Sequence, residues 1–315
     1  MDRRKFMKIA GLSAAGIAST GLMPAAGAAC IAEVPGWDRK DKELFGNRPK
    51  GHFSIRQLSS VTDTIGNSHI LQTKGGKVIV IDGGFATEQD NLRKNIAALG
   101  GHVDLWFITH PHQDHMGAFN EILKDRREIT IDKVIYSRLP DSFLDREPEN
   151  AADARSYYRT LDSVTEGVDI LDLHRTGGRF DIDGIGIMVL GVANPELTMN
   201  PYNNQSMIIR FWDDCKSVVI LGDAGIECGD KCLAQYGAYL NCDYMQMAHH
   251  GQNGCSESFY KAIDFRACLW PTPSWVWEPA PQHTHLKTRE TRRWMDEKGI
   301  TEHHVSCIEK DWILE

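Results

Sequence analysis

The chain has 315 residues, of which 42% are hydrophobic and 25% are charged, and its formal net charge is −8 because 35 Lys and Arg stand against 43 Asp and Glu. These proportions are those of a globular protein with a large core, and they exclude a disordered, collagen-like or coiled-coil chain and a small disulfide scaffold. The body of the chain has no apolar run that approaches the roughly 18 residues of a membrane span, which excludes a polytopic membrane protein.

Residues 1–28 predict an export signal. A basic start containing Arg3 and Arg4 precedes an apolar stretch of small residues, and the A-x-A cleavage form follows at residues 26–28. The basic start resembles the twin-arginine signal, whose pathway exports folded proteins. We therefore expect a periplasmic or extracellular protein, with an amphipathic first helix of a cytosolic protein as the alternative. Cys30 offers a lipid-anchoring position, and membrane attachment is expected only if that cysteine is lipidated.

Removal of the signal leaves a more acidic chain, with a formal charge of about −11. Such a surface would not hold a polyanion through counterion release, so we expect no strong non-specific nucleic-acid binding. Seven further cysteines could pair in an oxidising compartment, although the spacing does not define the pairs and the sequence leaves the oligomeric state undefined. They are Cys215, Cys228, Cys232, Cys242, Cys255, Cys268 and Cys307.

A polar leader at residues 29–51 precedes a predicted folded domain at residues 52–315. The first half of this domain alternates short β-rich runs with helical periods. Strands are predicted at residues 55–58, 69–73, 77–82, 103–109 and 133–137, and helices at residues 88–99, 119–124 and 153–164. The run at 103–109 is continuously apolar, as is typical of a buried strand.

The second half of the domain repeats this alternation. Strands are predicted at residues 182–192, 206–212, 218–221, 244–248, 267–270 and 303–308, and helices at residues 225–236 and 287–298. Because no Ser/Pro-rich linker separates the halves, we expect one domain made of two βα halves.

A cluster of potential metal ligands follows the buried strand at 103–109. His110, His112, Asp114 and His115 lie within six residues, and Pro111 forbids a regular helix through them. A loop here would aim the first two imidazoles at one metal ion and the Asp-His pair at a second, as in two-metal hydrolases. Without a metal, the four groups would be costly to desolvate together, which disfavours a purely structural cluster.

The string His110-x-His112-x-Asp114-His115 resembles the signature of the metallo-β-lactamase superfamily, and further motifs follow in the order of that family. The resemblance implies that Asp82 braces the histidine loop and that Asp223, in Leu221-Gly222-Asp223, bridges two metals. It also assigns His249-His250-Gly251 to the late histidine motif. The implied fold is α/β (α+β by some schemes), a four-layer αββα sandwich with two βα halves.

Finer features resemble the hydrolase domain of ComEC-type competence proteins and the related choline-phosphate esterases. These features are the strand start Asn203-Asn204-Gln205-Ser206, the double histidine His249-His250, and the late loop His283-Thr284-His285. The match is weaker through residues 121–180, which we interpret as an insertion.

The resemblance also implies a ligand set for zinc, with one or two ions and other divalent metals possible. His110 and His112 would hold one ion, and Asp114 and His115 would hold the other together with either His249 or His250. The remaining histidine of that pair would support a ligand or contact the substrate, and the sequence does not order the two.

The predicted ligands of the first metal depart from the wider family pattern. Classical members place another histidine on this metal before the bridging Asp, and only His174 lies in that interval, where we interpret it as a surface residue. Because the ComEC-like group carries asparagine in this region, we expect Asn203 or Asn204 to approach the metal or the substrate instead. Occupancy by a single metal therefore stays open.

The implied activity is that of an exported metal-dependent hydrolase that uses a zinc-bound hydroxide, oriented by Asp114 and Asp223. His285 would grip the substrate or protonate the leaving group. The expected partner is a small-molecule or phosphoester substrate, most of all a phosphodiester. Two alternatives remain: hydrolysis of a lactone, thioester or β-lactam on the same fold, and a non-catalytic metal-binding or recognition module.

Overall fold

The computed structural model describes residues 50–164 and 166–315. The predicted export signal, Cys30 and nearly all of the predicted leader lie outside these residues. The strands of the described chain form two seven-stranded sheets.

The first sheet is built mainly from the first half of the chain. Its strands are β1 (Phe53–Gln57), β2 (Ser68–Thr73), β3 (Val78–Asp82), β4 (His102–Phe107), β5 (Thr130–Tyr136), β6 (Asp169–Asp172) and the C-terminal β14 (Trp312–Leu314). They lie in the order β14-β1-β2-β3-β4-β5-β6. Neighbours are antiparallel from β14 to β3 and parallel from β3 to β6.

The second sheet comes from the second half. Its strands are β7 (Arg179–Ile182), β8 (Ile185–Gly191), β9 (Ile208–Trp212), β10 (Ser217–Ile220), β11 (Tyr244–Gln246), β12 (Ala267–Trp270) and β13 (Glu302–Val305). They lie in the order β13-β12-β11-β10-β9-β8-β7, antiparallel from β7 to β10 and parallel from β10 to β13. The chain then returns to the first sheet through β14, which links the two halves.

Helices cover the outer faces of both sheets. They are α1 (Gln89–Ala98), α2 (Gln113–Lys124), α3 (Asp141–Leu144), α4 (Pro148–Ser163), α5 (Ile226–Tyr236), α6 (Glu257–Ala262), α7 (Ser274–Trp277), α8 (Thr288–Lys298) and α9 (Ser306–Glu309). Short 3₁₀ turns lie at Ala86–Glu88, Asn203–Gln205, Gly237–Leu240 and His249–Gly251. Among the described helices, none has both the length and the apolar character that crossing a bilayer would require.

Three apolar layers hold these elements together. One lies between the sheets and includes Ile79 and Phe211. A second joins the first sheet to α1, α2 and α4, and a third joins the second sheet to α5, α6 and α8. Strand β3 is buried at every residue because both of its faces are covered, which explains its continuous apolar run. The predicted four-layer αββα sandwich is confirmed.

The helix α2 begins earlier than the sequence predicts. It starts at Gln113, so Asp114 and His115 lie on its first turn, and the expected loop over these two residues is wrong. The backbone of His112 is extended and caps the helix, which leaves Pro111 outside the helical hydrogen-bond ladder. Pro111 therefore ends the loop and permits a helix directly after it.

Residues 121–180, expected to be an insertion, contribute β5 and β6 to the first sheet and α4 to its outer layer. The strand predicted at residues 303–308 ends at Val305, because the helix α9 begins at Ser306. Strands β6, β7 and β14 and the short helices α3, α6 and α7 are elements that the sequence patterns did not predict. Each is only three to six residues long, too short for a clear period.

The layer between the sheets generates a stability prediction. Ile79 is 0% exposed there, so Ile79→Ala should leave a cavity and lower the free energy of unfolding by about 2–5 kcal/mol. The measurement is urea denaturation of the metal-free protein. Ile308→Ala is the control, because Ile308 is 61% exposed and its truncation should change the free energy by less than about 0.5 kcal/mol. Equal losses in the two variants would contradict this packing.

Candidate metal centre

Polar side chains from both sheets meet at one edge of the sandwich. Asp82 ends β3 and His110 follows β4, its parallel neighbour, in the first sheet. Asp223 follows β10 and the pair His249-His250 follows β11, its parallel neighbour, in the second sheet. Because the carboxyl ends of parallel strands meet at one edge, residues far apart in sequence come together here.

Asp82 fixes the position of the histidine-bearing segment. Its Oδ1 atom accepts a hydrogen bond from the Thr109 backbone N–H, and its Oδ2 atom accepts one from the Thr109 hydroxyl, at 2.8 Å each. His115 Nδ1 donates to Asp82 Oδ2 at 2.8 Å, and both residues are fully buried. The Nε2 atom of His115 is therefore the ring nitrogen that faces the cluster. Asp82 itself adopts a left-handed backbone, with φ of 57°, which is uncommon for a residue other than glycine.

The first donor set consists of His110, His112 and Asp223. One ligand atom from each lies within 4.8 Å of the others. His110 Nε2 and His112 Nδ1 are 3.0 Å apart. Burial lowers the pKa of His110 well below its usual range, which favours the neutral imidazole that binds metals.

The second donor set consists of Asp114, His115, Asp223 and His250, all of them buried. His250 Nε2 lies 3.0 Å from Asp114 Oδ2 and 3.3 Å from Asp223 Oδ2. His115 Nε2 lies 3.1 Å from Asp223 Oδ1. Asp223 thus belongs to both donor sets, which is the position that the resemblance assigned to the bridging carboxylate.

These residues fit a divalent cation. Within the described residues, the buried atoms His115 Nε2 and Asp223 Oδ1 have no hydrogen bond of acceptable geometry, although they face each other. Burial would lower the pKa of His115, but the carboxylates of Asp223 and Asp82 raise it well above its usual range. The same kind of competition raises the pKa of His250 to about 10. In the absence of a metal, the neighbouring carboxylates therefore favour the cationic form of His115 and His250. The nitrogen and oxygen ligands of the two donor sets are suited to zinc or iron.

The structure distinguishes between His249 and His250, whose roles the sequence leaves unassigned. His250 is fully buried and faces both Asp114 and Asp223, whereas His249 approaches only Asp223, at 3.8 Å. The side chain of His249 is also 18% exposed. His250 therefore lies in a donor set, and His249 lies at its border, where its ring is partly exposed to solvent.

The turn that carries these histidines has an unusual backbone. His249, His250 and Gly251 have φ values of 52°, 55° and 78°, so three consecutive residues are left-handed. The surroundings hold this conformation, because the Thr272 hydroxyl donates to the His250 carbonyl at 2.6 Å. A Cβ atom at Gly251 would lie 2.3 Å from the ring of Trp270. Such strain is a feature of sites whose side chains need a fixed orientation.

The side chains of Asn203 and Asn204 point to different parts of the structure. Asn203 Nδ2 lies 3.4 Å from His249 Nε2, and its buried Oδ1 has no hydrogen bond to any described residue. Asn204 points elsewhere, since its Oδ1 accepts from the backbone N–H of Cys228 at 3.2 Å in the first turn of α5, and its Nδ2 donates to the Met199 carbonyl. Asn203 is therefore the asparagine at the donor sets, and Asn204 fixes the start of a helix.

Two other histidines lie outside the donor sets. His174 is exposed and lies 2.9 Å from Asp172 on the surface. His285 is also exposed; its carbonyl accepts from Asn253 Nδ2, and its ring lies 5.8 Å from that of His283. Because Asn253 is close to the His249 turn in sequence, this loop lies beside that turn, and a role of His285 at the substrate stays a prediction.

Sequence reasoning missed Glu147 and Ser206. Glu147 Oε2 lies 2.7 Å from His112 Nε2; burial would raise the pKa of this carboxyl group, but the hydrogen bond with His112 lowers it. Ser206 Oγ accepts from the backbone N–H of Asp223 at 3.0 Å. Ser206 belongs to a motif that the sequence singled out, whereas Glu147 lies 35 residues from His112 with no motif around it.

Comparisons with known proteins agree with this architecture. Residues 61–253, more than half of the chain, match the family model described as the Metallo-beta-lactamase superfamily. A search of curated proteins found no match.

Solved structures share the fold. The metallo-beta-lactamase fold protein YhfI from Bacillus subtilis is 12% identical with a TM-score of 0.51, and the match covers 84% of this chain and 100% of YhfI. The diiron beta-hydroxylase CmlA from Streptomyces venezuelae is 12% identical with a TM-score of 0.52, over 83% of this chain and 54% of CmlA. A diphosphatase of the PhnP family is 13% identical with a TM-score of 0.46, over 84% of this chain and 98% of that protein. At these identities the likeness to YhfI and CmlA shows the fold alone.

The geometry predicts how metal content responds to substitution. The purified protein should contain one to two zinc ions per chain, and His250→Ala should lower that number because it removes a buried donor from the second set. Elemental analysis after native purification measures both quantities.

His174→Ala is the matched control for this experiment. It also removes an imidazole paired with a carboxylate, but from an exposed position, so metal content should not change. A wild-type protein that contains no transition metal and takes up none would contradict the assignment of the site.

Proposed function

The chain belongs to the metallo-beta-lactamase superfamily, and we propose that it is a metal-dependent hydrolase of phosphoesters, most of all of phosphodiesters. The observation that carries the proposal is the sharing of Asp223 between two donor sets in which every residue except His112 is buried. A carboxylate common to two cation sites is an arrangement suited to two-metal hydrolysis.

The donor sets define which residues would hold the cations. His110 and His112 would hold one and Asp114, His115 and His250 the other, with Asp223 bound to both. Bound divalent cations supply Lewis-acid polarisation of the substrate and make water nucleophilic at neutral pH. Zinc is the proposed metal because imidazole dominates the ligands, and elemental analysis distinguishes it from iron.

The carboxylates of Asp114 and Asp223 have different proposed roles. Asp114 is 7% exposed and Asp223 is 1% exposed, so Asp114 is the carboxylate that an incoming water reaches. Its Oδ2 atom is held by His250 at 3.0 Å, which fixes the direction in which the carboxylate accepts a proton. Asp223 is anchored through its backbone N–H to Ser206 Oγ and keeps its two oxygens directed at different histidines.

His249 and Asn203 line the border of the donor sets. The ring of His249 reaches solvent, and the amide of Asn203 lies beside it with a buried oxygen available for a hydrogen bond. These groups are placed to bind substrate oxygens near Asp223, the charged part of the site. Polar groups aimed at a developing charge are worth more in such a water-poor site than in bulk water.

The preference for phosphorus rests on two supports. Asp223 would hold a cation in each donor set, and a pair of cations held in this way would suit in-line displacement at phosphorus. The motifs Asn203-Asn204 and His249-His250-Gly251 resemble those of phosphoester-cleaving relatives. Hydrolysis of a lactone, thioester or β-lactam, and a non-catalytic module, are outcomes that the following assay distinguishes.

The proposal predicts a substrate order. The metal-loaded protein should hydrolyse an aryl phosphodiester faster than an aryl carboxylic ester, a lactone or a chromogenic β-lactam, as measured by initial rates. Turnover of lactones or β-lactams alone would overturn the choice of phosphodiester and keep the hydrolase. No turnover of any member of the panel by metal-loaded protein would favour the binding module.

Within that assay, Asp114→Asn should lower kcat for the preferred substrate by at least about 100-fold, equivalent to about 2.7 kcal/mol, since the residue both binds a cation and orients the nucleophile. Asp169→Asn is the control, because this carboxylate is 65% exposed and pairs with Lys133 on the surface. A similar loss in both variants would show that the effect is not specific to the site.

We also propose that the protein is exported in folded form to the periplasm or cell exterior. The support is the basic start containing Arg3 and Arg4 followed by an A-x-A form at residues 26–28.

The twin-arginine route predicts that the double change Arg3→Lys and Arg4→Lys leaves the precursor in the cytoplasm, as measured by fractionation and immunoblotting. Lys8→Arg keeps the charge and the arginine pair and should be exported normally. Normal export of the double variant would instead indicate the general secretory route. A mass increase on the mature N-terminus would indicate lipid on Cys30.

A further inference from the structure

Glu147 connects the helical stretch after β5 to the metal centre. It lies between α3 and α4, is only 9% exposed, and has a carboxylate with three polar neighbours. Its Oε2 atom lies 2.7 Å from His112 Nε2 and accepts from Asn150 Nδ2 at 2.9 Å. Its Oε1 atom accepts from the backbone N–H of Tyr202 at 2.7 Å.

These contacts define the tautomer of His112. The backbone N–H of Tyr202 and the amide nitrogen of Asn150 can only donate, so both oxygens of the Glu147 carboxylate act as acceptors. The hydrogen bond at 2.7 Å then places a proton on His112 Nε2. A neutral ring that carries its proton on Nε2 has its lone pair on Nδ1.

That lone pair faces the first donor set. His112 Nδ1 lies 3.0 Å from His110 Nε2, and both rings belong to the cluster completed by Asp223. The opposite tautomer would put a proton on Nδ1 and remove His112 from the ligands. The orientation of the ring is further limited by Tyr202, whose ring centroid lies 5.2 Å away.

We propose that Glu147 is a positioning residue that keeps His112 available as an Nδ1 ligand and thereby sets the affinity of the first cation site. The inference rests on the metal centre of the proposed function. A carboxylate that accepts the second N–H of a metal-binding histidine fixes the ring and raises its basicity, and loss of such a partner costs about 10- to 100-fold in metal affinity.

The Glu147 carboxylate also contacts the segment that carries Asn203. By accepting from the Tyr202 backbone it holds the residue next to Asn203, and the Tyr202 hydroxyl donates to the Leu144 carbonyl at 2.8 Å. The stretch that contains α3 and α4 thus contacts a ligand and the substrate-facing turn together. A role of this stretch in metal binding follows, in addition to its packing against the first sheet.

Glu147→Gln is the informative variant because it preserves size and removes one acceptor. The Tyr202 N–H needs the single remaining oxygen, which turns the new amide NH₂ group toward His112 Nε2. A donor at that position favours the tautomer with its proton on Nδ1. Zinc should therefore bind the variant about 10- to 100-fold more weakly at one step.

Glu149→Gln is the matched control. Glu149 lies on the same first turn of α4 but is exposed, so the change removes an equal charge without touching His112. Zinc affinity is measured by competition with a chromophoric chelator, on full mature protein stripped of metal. Circular dichroism of each metal-free variant checks that it is folded.

A second measurement uses the wild-type protein and does not depend on how any variant folds. Long-range ¹H–¹⁵N spectra of protein labelled at histidine report which nitrogen of His112 carries the proton, and His112→Ala identifies the signals. A protonated Nε2 is expected in the zinc-loaded protein. A protonated Nδ1, or equal zinc affinity of wild type, Glu147→Gln and Glu149→Gln, would overturn the inference. Failure of the wild type to bind zinc at all would instead overturn the proposed metal centre.

Discussion

The burial of carboxylate and imidazole groups together at one edge of the sandwich is the constraint on which the rest of the site depends. Asp114, Asp223, His115 and His250 are all less than one-tenth exposed, and the cluster contains facing atoms with no hydrogen bond among the described residues. Such groups are costly to remove from water unless they are paired or bind a cation. The distances among these groups therefore have to be kept by a backbone that is itself held in place.

The scaffold provides that rigidity through contacts that are themselves polar and buried. Asp82 holds the segment after β4 by accepting from Thr109 and His115, and Ser206 holds Asp223. The left-handed turn at His249 is kept by contacts from Thr272 and Trp270. Each support comes from a different strand end, so the site depends on the correct packing of both sheets.

The second half of the histidine motif illustrates how local rules and tertiary context combine. Pro111 was expected to keep the whole motif in a loop, yet a helix starts two residues later and carries Asp114 and His115 on its first turn. On this turn both side chains reach the second donor set, where His115 faces Asp223 and Asp114 faces His250, whereas His110 and His112 precede the helix and belong to the first donor set. The two donor sets thus arise from the change of backbone from extended to helical at His112.

The sequence by itself identified the candidate donor residues from His110 to His115, the fold class and the family, because the spacing of these residues and the buried apolar strands are local patterns. Only the tertiary structure showed that His250, and not His249, belongs to a donor set. This distinction depends on a left-handed turn that directs His250 at Asp114, 136 residues away in sequence. The tertiary structure likewise separated Asn203 from Asn204 and revealed Glu147 as a partner of His112. These distinctions depend on side-chain direction at contacts between distant segments, and no periodicity or spacing along the chain encodes that direction.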